Sequence, residues 1–236
     1  MSDPGRGRRE FLAGIVGTGV VLAADGARAA SAAHGKAKAG GDDIPPTEDL
    51  MREHGVLRRV LLVYDEAVRR LAADDAIAVG VVTGAAGLVR RFVEGYHEKL
   101  EEDFVLPKME KAGKLVELAK VIRAQHAAGR RLTDAIAKAA QAATGKPASA
   151  DQRRAIVVPI QSFTRMYAAH AAWEDTELFP AYRALFTEAE LDRLGERFEE
   201  QERKLLGNAG FEGSLKEVGD LETALGIHDL AAFTPR

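Results

Sequence analysis

The sequence predicts an all-α protein: an antiparallel up-down four-helix bundle with a C-terminal helical extension. Three observations predict it. From Thr47 onward apolar residues recur at helical spacing, with almost no strand-like alternation. The same stretch is rich in Ala, Leu, Arg and Glu, and capping residues, glycines and prolines divide it into long rods. With 46% hydrophobic residues in a chain of 236, there is enough apolar surface for a core, and the length suits one main domain with an appendage.

The first 32 residues read as a targeting segment. Arg6, Arg8 and Arg9 precede a weakly apolar run from Ala13 to Ala24, followed by small residues that suit cleavage after Ala29 or Ala32. The run is too short to span a bilayer, so no membrane span is expected in the mature chain. Arg8-Arg9-Glu10-Phe11-Leu12 resembles the twin-arginine export signal, which implies export to the periplasm or cell envelope in a folded state. Residues 33–46 read as a flexible polar linker.

The bundle is expected over residues 47–185. Thr47, ahead of Glu48 and Asp49, starts a helix that runs to about Ala73. A second helix opens at Thr83, and Pro107 and Gly113 bring it to an end. A third runs from Lys114 to Ala143 and stops at the turn 144–147. Ser149 and Gln152 form a capping box for the fourth, which Pro180 helps to end, and Pro159 inside it predicts a kink or a later start. Residues 187–236 form the extension: a second capping box, Thr187 with Glu190, opens a charged helix to Leu206. Beyond Gly207 short broken structure is expected, and the whole is expected to pack across an open end of the bundle.

Composition limits the chemistry. There is no cysteine, which excludes disulfides, zinc-thiolate sites, iron-sulfur clusters and thiol nucleophiles, so a metal would need nitrogen and oxygen ligands. The formal net charge of -3, with signs mixed along the chain, gives no nucleic-acid footprint and no polybasic membrane surface.

Within the helices lies a repeat. His97-Glu-Lys-Leu-Glu101-Glu-Asp-Phe-Val-Leu-Pro107 aligns without a gap on His170-Ala-Ala-Trp-Glu174-Asp-Thr-Glu-Leu-Phe-Pro180. Upstream, His54 lies 43 residues before His97 and His126 lies 44 before His170. Two similar hairpins thus each supply a histidine from a first helix and H-x3-E from a second. Residues i and i+4 share a helix face, so each histidine and its glutamate can converge. His54 shares its inward stripe with Leu57, Leu61, Tyr64, Val68 and Leu71. His126 shares one with Leu115, Leu118 and Ile122, and His170 with Phe163, Met166 and Tyr167.

Two carboxylates buried without partners would be driven to take up protons. No lysine or arginine stands on these stripes at a pairing distance. A pair of iron, manganese or zinc ions would neutralise them, whereas calcium and magnesium want more oxygen. The candidate metal ligands are therefore His54, His97, Glu101, His126, His170 and Glu174. His34 and His228 stand apart from the repeat, and Tyr64, Tyr96, Tyr167 and Trp173 read as core aromatics.

These residues resemble the hemerythrin-like, or HHE cation-binding, family, whose pattern H…H-x3-E…H…H-x3-E is met at the six positions over residues 47–185. The resemblance implies a non-haem di-iron centre with histidines as terminal ligands, Glu101 and Glu174 as bridges, and oxygen, nitric oxide or peroxide as the small ligand. Glu98 and Asp175 match carboxylates at neighbouring family positions. Arg130 stands where oxygen carriers have a further histidine, which leaves a coordination position open. A binding or sensing protein, iron handling and a peroxide-decomposing enzyme all stay open. A ferritin-like site would need E-x2-H twice; Glu94 and His97 supply it once, but Tyr167 stands three residues before His170.

Overall fold

Every regular element among the described residues is a helix. A computed structural model describes residues 44–73, 79–144 and 148–235. The expected signal segment, 1–32, and linker residues 33–43 lie outside them.

Helix α1 (Pro46–Ala72) begins with Pro45 as its cap and Pro46 in its first turn, where a missing N–H costs nothing. Glu48 and Asp49 meet the positive end of the helix dipole. The second rod, α2 (79–112), starts at Val79, ahead of the expected Thr83. Burial of Val81, Val82, Ala85 and Ala86 outweighs the low helix propensity of Gly80 and Gly84. It changes to π-helix over Val89–His97, returns to α over Glu98–Leu100, widens again over Glu101–Val105, and ends as Leu106–Ala112. Gly113, at φ 64°, stops it.

Helix α3 (Val116–Ala142) starts after Leu115, whose φ of 48° places it outside the helix. Leu115 is consequently exposed, which removes it from the expected inward stripe of His126. The fourth rod, α4 (150–183), carries the expected capping box: Gln152 N–H donates to Ser149 Oγ at 3.2 Å and Ser149 N–H to Gln152 Oε1 at 2.9 Å. It passes through Pro159 as one helix, Ala150–Trp173, so the proline marks no late start. A π-turn over Glu174–Leu178 follows, then Phe179–Arg183.

Pro107 and Pro180 do not end their rods. Each sits one residue beyond a π-turn, closed by Leu106 N–H donating to Glu101 C=O and by Phe179 N–H donating to Glu174 C=O. The wider turn relieves the clash a proline ring makes with the carbonyl four residues back.

The rods form a helical bundle: α3 packs on α4, α1 on α4, and the Val79–Leu88 part of α2 on α3. The extension is more regular than expected. Helix α5 (Glu188–Leu206) keeps its capping box, and Gly210–Ala224 forms a further helix, α6, despite the three glycines in it and Gly207 and Gly226 beside it. Packing explains it: Ser214, Val218 and Glu222 are buried, and an added Cβ at Gly84 of α2 would lie 3.0 Å from Leu221, so the glycine there lets α2 and α6 approach closely. Nor does the extension cap an end of the bundle. It runs along α1, from Gly195 against Pro46, through Arg52 over the Phe211 ring and Arg59 on Glu222, to Arg70 donating to Leu225 C=O. No helix among the described residues is long and apolar enough to cross a membrane.

Candidate metal centre

Each rod delivers candidate ligands to one buried point. His54 comes from α1, His97 and Glu101 from α2, His126 from α3, and His170 and Glu174 from α4, and none is more than 3% exposed. The π-turns begin at Glu101 and at Glu174, so in both hairpins the helix changes pitch where the glutamate projects. Such single widened turns are common at functional sites.

All four imidazoles are held in the same sense. Nδ1 of His54 lies 2.7 Å from Asp175 Oδ1, and Nδ1 of His97 lies 2.7 Å from Glu53 Oε2. Nδ1 of His126 lies 3.1 Å from Glu102 Oε1, and Nδ1 of His170 lies 2.9 Å from Gln125 Oε1. These oxygens can only accept, so each Nδ1 donates, and in a neutral ring the lone pair is left on Nε2, facing inward. His54 and His97 bring their Nε2 atoms within 3.0 Å of each other. Two lone pairs at that distance repel unless a proton or a cation lies between them.

The glutamates complete two overlapping groups. His54, His97, Glu101 and Glu174 place ligand atoms within 4.8 Å of one another, and so do His126, His170, Glu101 and Glu174. Glu101 Oε2 is 3.1 Å from His126 Nε2 while its Oε1 is 3.7 Å from His97 Nε2. Glu174 Oε2 is 3.1 Å from His170 Nε2 and 3.3 Å from His54 Nε2. Both oxygens of Glu101 and both of Glu174, and His126 Nε2, are buried without a hydrogen bond. Orphaned buried oxygens facing imidazole lone pairs are costly, and a pair of cations shared by both carboxylates satisfies them. The residues fit a two-metal centre.

The charges around the site agree. Burial alone would lower the pKa of His54, but its hydrogen bond to Asp175 and the negative charge of Glu174 and Glu101 close by raise it to about 9. His126 is likewise raised to about 10: burial works against the charge, and Glu101 and Glu102 more than offset it. The site thus attracts positive charge strongly enough to keep protons where metal ions would otherwise sit. Glu102, bonded to His126 and Arg130, is lowered to about 2 despite its burial.

The flanking carboxylates have other partners. Asp175 accepts from His54 and from Arg58. Glu98, wholly buried, accepts from Tyr167 Oη at 2.6 Å and from Arg130 at 2.8 Å, and burial raises its pKa. Arg130 also grips Glu102 at 2.8 Å. Glu94, the ferritin-like match, pairs with Arg90 and joins neither four-residue group. Tyr96 and Tyr167 are core residues that also donate, to Glu53 and Glu98. Trp173 is exposed rather than core. His228 binds Glu222, away from the centre, and His34 lies outside the described residues.

Sequence reasoning missed the supporting roles of Glu53, Gln125, Glu102 and Arg58. Their signal was present: Glu53-His54 with Arg58 and Gln125-His126 with Arg130 repeat at identical spacing, as do Glu101-Glu102 and Glu174-Asp175. The acid after each shared glutamate serves the first-helix histidine of the opposite hairpin, a pairing that spacing along one helix cannot reveal.

The family model for the hemerythrin HHE cation binding domain matches residues 46–182. Uncharacterized proteins from two strains of Mycobacterium tuberculosis and from Mycobacterium bovis are 45% identical over 197 residues, covering 82% of this chain and 76% of theirs. No solved structure matches.

Proposed function

The chain belongs to the hemerythrin HHE cation-binding family, and we propose that its core holds a non-haem di-iron centre that binds or senses oxygen or nitric oxide, or handles iron. The observation that carries this is the sharing of Glu101 and Glu174 by two histidine pairs. In this reading the rods form an antiparallel up-down four-helix bundle. His54 and His97 would hold one ion and His126 and His170 the other, with Glu101 and Glu174 common to both groups. The nitrogen and oxygen donors also suit manganese or zinc. The metal supplies redox chemistry toward a diatomic or peroxidic ligand; the chain's part is to hold, orient and desolvate it. Each group would offer an ion four protein donors, which would leave room for that ligand.

Decomposition of peroxide is the second reading. It is favoured by Glu98, a buried carboxyl grouped with Glu102 and His126 whose pKa burial raises, which puts an acid–base group beside the site. Export by residues 1–32 belongs to the same proposal and rests on Arg8-Arg9-Glu10-Phe11-Leu12.

Metal analysis, with absorption spectra of the anaerobically reduced protein before and after air and then peroxide, tests the reading. Two ions per chain and a band that air forms reversibly support binding; rapid gas evolution with the metal retained supports the enzyme. Fewer than one ion per chain, or metal content unchanged in His97→Ala and His170→Ala, refutes both.

A further inference from the structure

We propose that the two ligand groups are unequal, and that the His54–His97 group takes the first ion because Glu53 backs His97 where Gln125 backs His170. This rests on the two-metal reading above.

The two hairpins match closely around the site, which isolates the difference. His54 and His126 are equivalent: each donates Nδ1–H to a carboxylate, Asp175 or Glu102, and that carboxylate is gripped by an arginine one helical turn after the histidine, Arg58 or Arg130. His97 and His170 are equivalent in position but not in chemistry. His97 donates to a carboxylate at 2.7 Å, His170 to an amide oxygen at 2.9 Å.

An anionic acceptor draws the Nδ1 proton more strongly than a neutral one, and so leaves more electron density on Nε2, the atom that faces the metal. Glu53 is only 2% exposed, so water screens its charge little, and Tyr96 Oη, donating at 2.8 Å, fixes its other oxygen. Both effects favour a cation between His54 and His97. Glu98 adds a buried carboxylate on the His126 side. Its oxygens, however, accept from Arg130 and Tyr167 rather than from an imidazole, and the guanidinium offsets its field. Glu53 is therefore a positioning residue that sets the order in which the ions enter.

The test is anaerobic titration of the full-length, metal-stripped chain with cobalt(II), followed by calorimetry and visible absorption. The unmodified chain should bind two ions in separate steps, the first at least about ten-fold tighter. His170→Ala should keep the tight step and His97→Ala only the weak one. Gln125→Glu should tighten the weak step by about 10- to 100-fold, and Glu53→Gln should weaken the tight step by a similar factor, with helix content by circular dichroism unchanged. Gln125→Glu removes nothing the fold depends on, so it remains decisive if Glu53→Gln fails to fold. Two steps of equal affinity, a tight ion retained in His97→Ala, or a Gln125→Glu titration identical to the unmodified one overturns the inference while leaving the two-metal reading intact. Uptake of fewer than two ions overturns both.

Discussion

His54 Nδ1 lies 2.7 Å from Asp175 Oδ1, and Asp175 is held in turn by Arg58, one helical turn beyond that histidine. The carboxylate that follows a shared glutamate in one hairpin thus orients a histidine of the other. Asp175→Asn should lower metal affinity by about 10- to 100-fold, as loss of an imidazole's carboxylate partner does elsewhere. Arg58→Ala removes a half-exposed ion pair and should change the melting temperature little. Metal titration and thermal melts of the two variants check this.

The glutamates and histidines should differ in how many ions each controls. Glu101 and Glu174 belong to both groups, whereas His97 and His170 belong to one each. Glu101→Ala or Glu174→Ala should therefore lose both ions, and His97→Ala or His170→Ala only one. Metal content per chain after gel filtration gives the answer.

Gly129 is required by a neighbour rather than by backbone geometry. A Cβ there would lie 1.9 Å from Tyr167 Oη and 2.7 Å from the ring carbon bearing it. Gly129→Ala should destabilise the protein by about 1–3 kcal/mol, since an overfilled core must shift to admit the methyl. Tyr167→Phe should not rescue it, because the ring carbons stay too close; Tyr167→Leu should. Denaturant unfolding of the single and double variants measures both effects.

Stability and metal affinity should respond oppositely to pH. In protein stripped of metal by a chelator, His54 and His126 titrate near 9 and 10, above the ordinary 6.5. A pKa raised on folding contributes stability that is complete below pH 6.5 and fades as pH rises through 9 to 10. Metal must displace those protons, so its affinity should rise over the same interval. Glu102, lowered to about 2 from 4.5, contributes the reverse: its stabilisation is present above pH 4.5 and lost as pH falls toward 2. Melting curves from pH 3 to 10, with chelator and with metal, check the signs.

Much of the site was legible because a helix turns periodicity into direction. His97 and Glu101, like His170 and Glu174, had to share a face, and the repeat made their equivalence visible. The extension was less legible. The glycines around α6 read as breaks, and only tertiary burial of Val218 and Glu222, the latter on Arg59, accounts for a helix there. The prolines misled in the same way: Pro107 and Pro180 read as stops, and each instead follows a π-turn that keeps its rod going.

The sequence by itself determined the helical class, the duplicated ligand pattern and the need for nitrogen and oxygen donors, because composition and period are properties of the chain alone. Only the tertiary structure decided that both glutamates lie against both histidine pairs, that Asp175 and Glu102 cross between hairpins, and that Glu53 backs His97 where Gln125 backs His170. Those relations join residues on different helices, and their distances are set by how the rods pack rather than by spacing along any one of them.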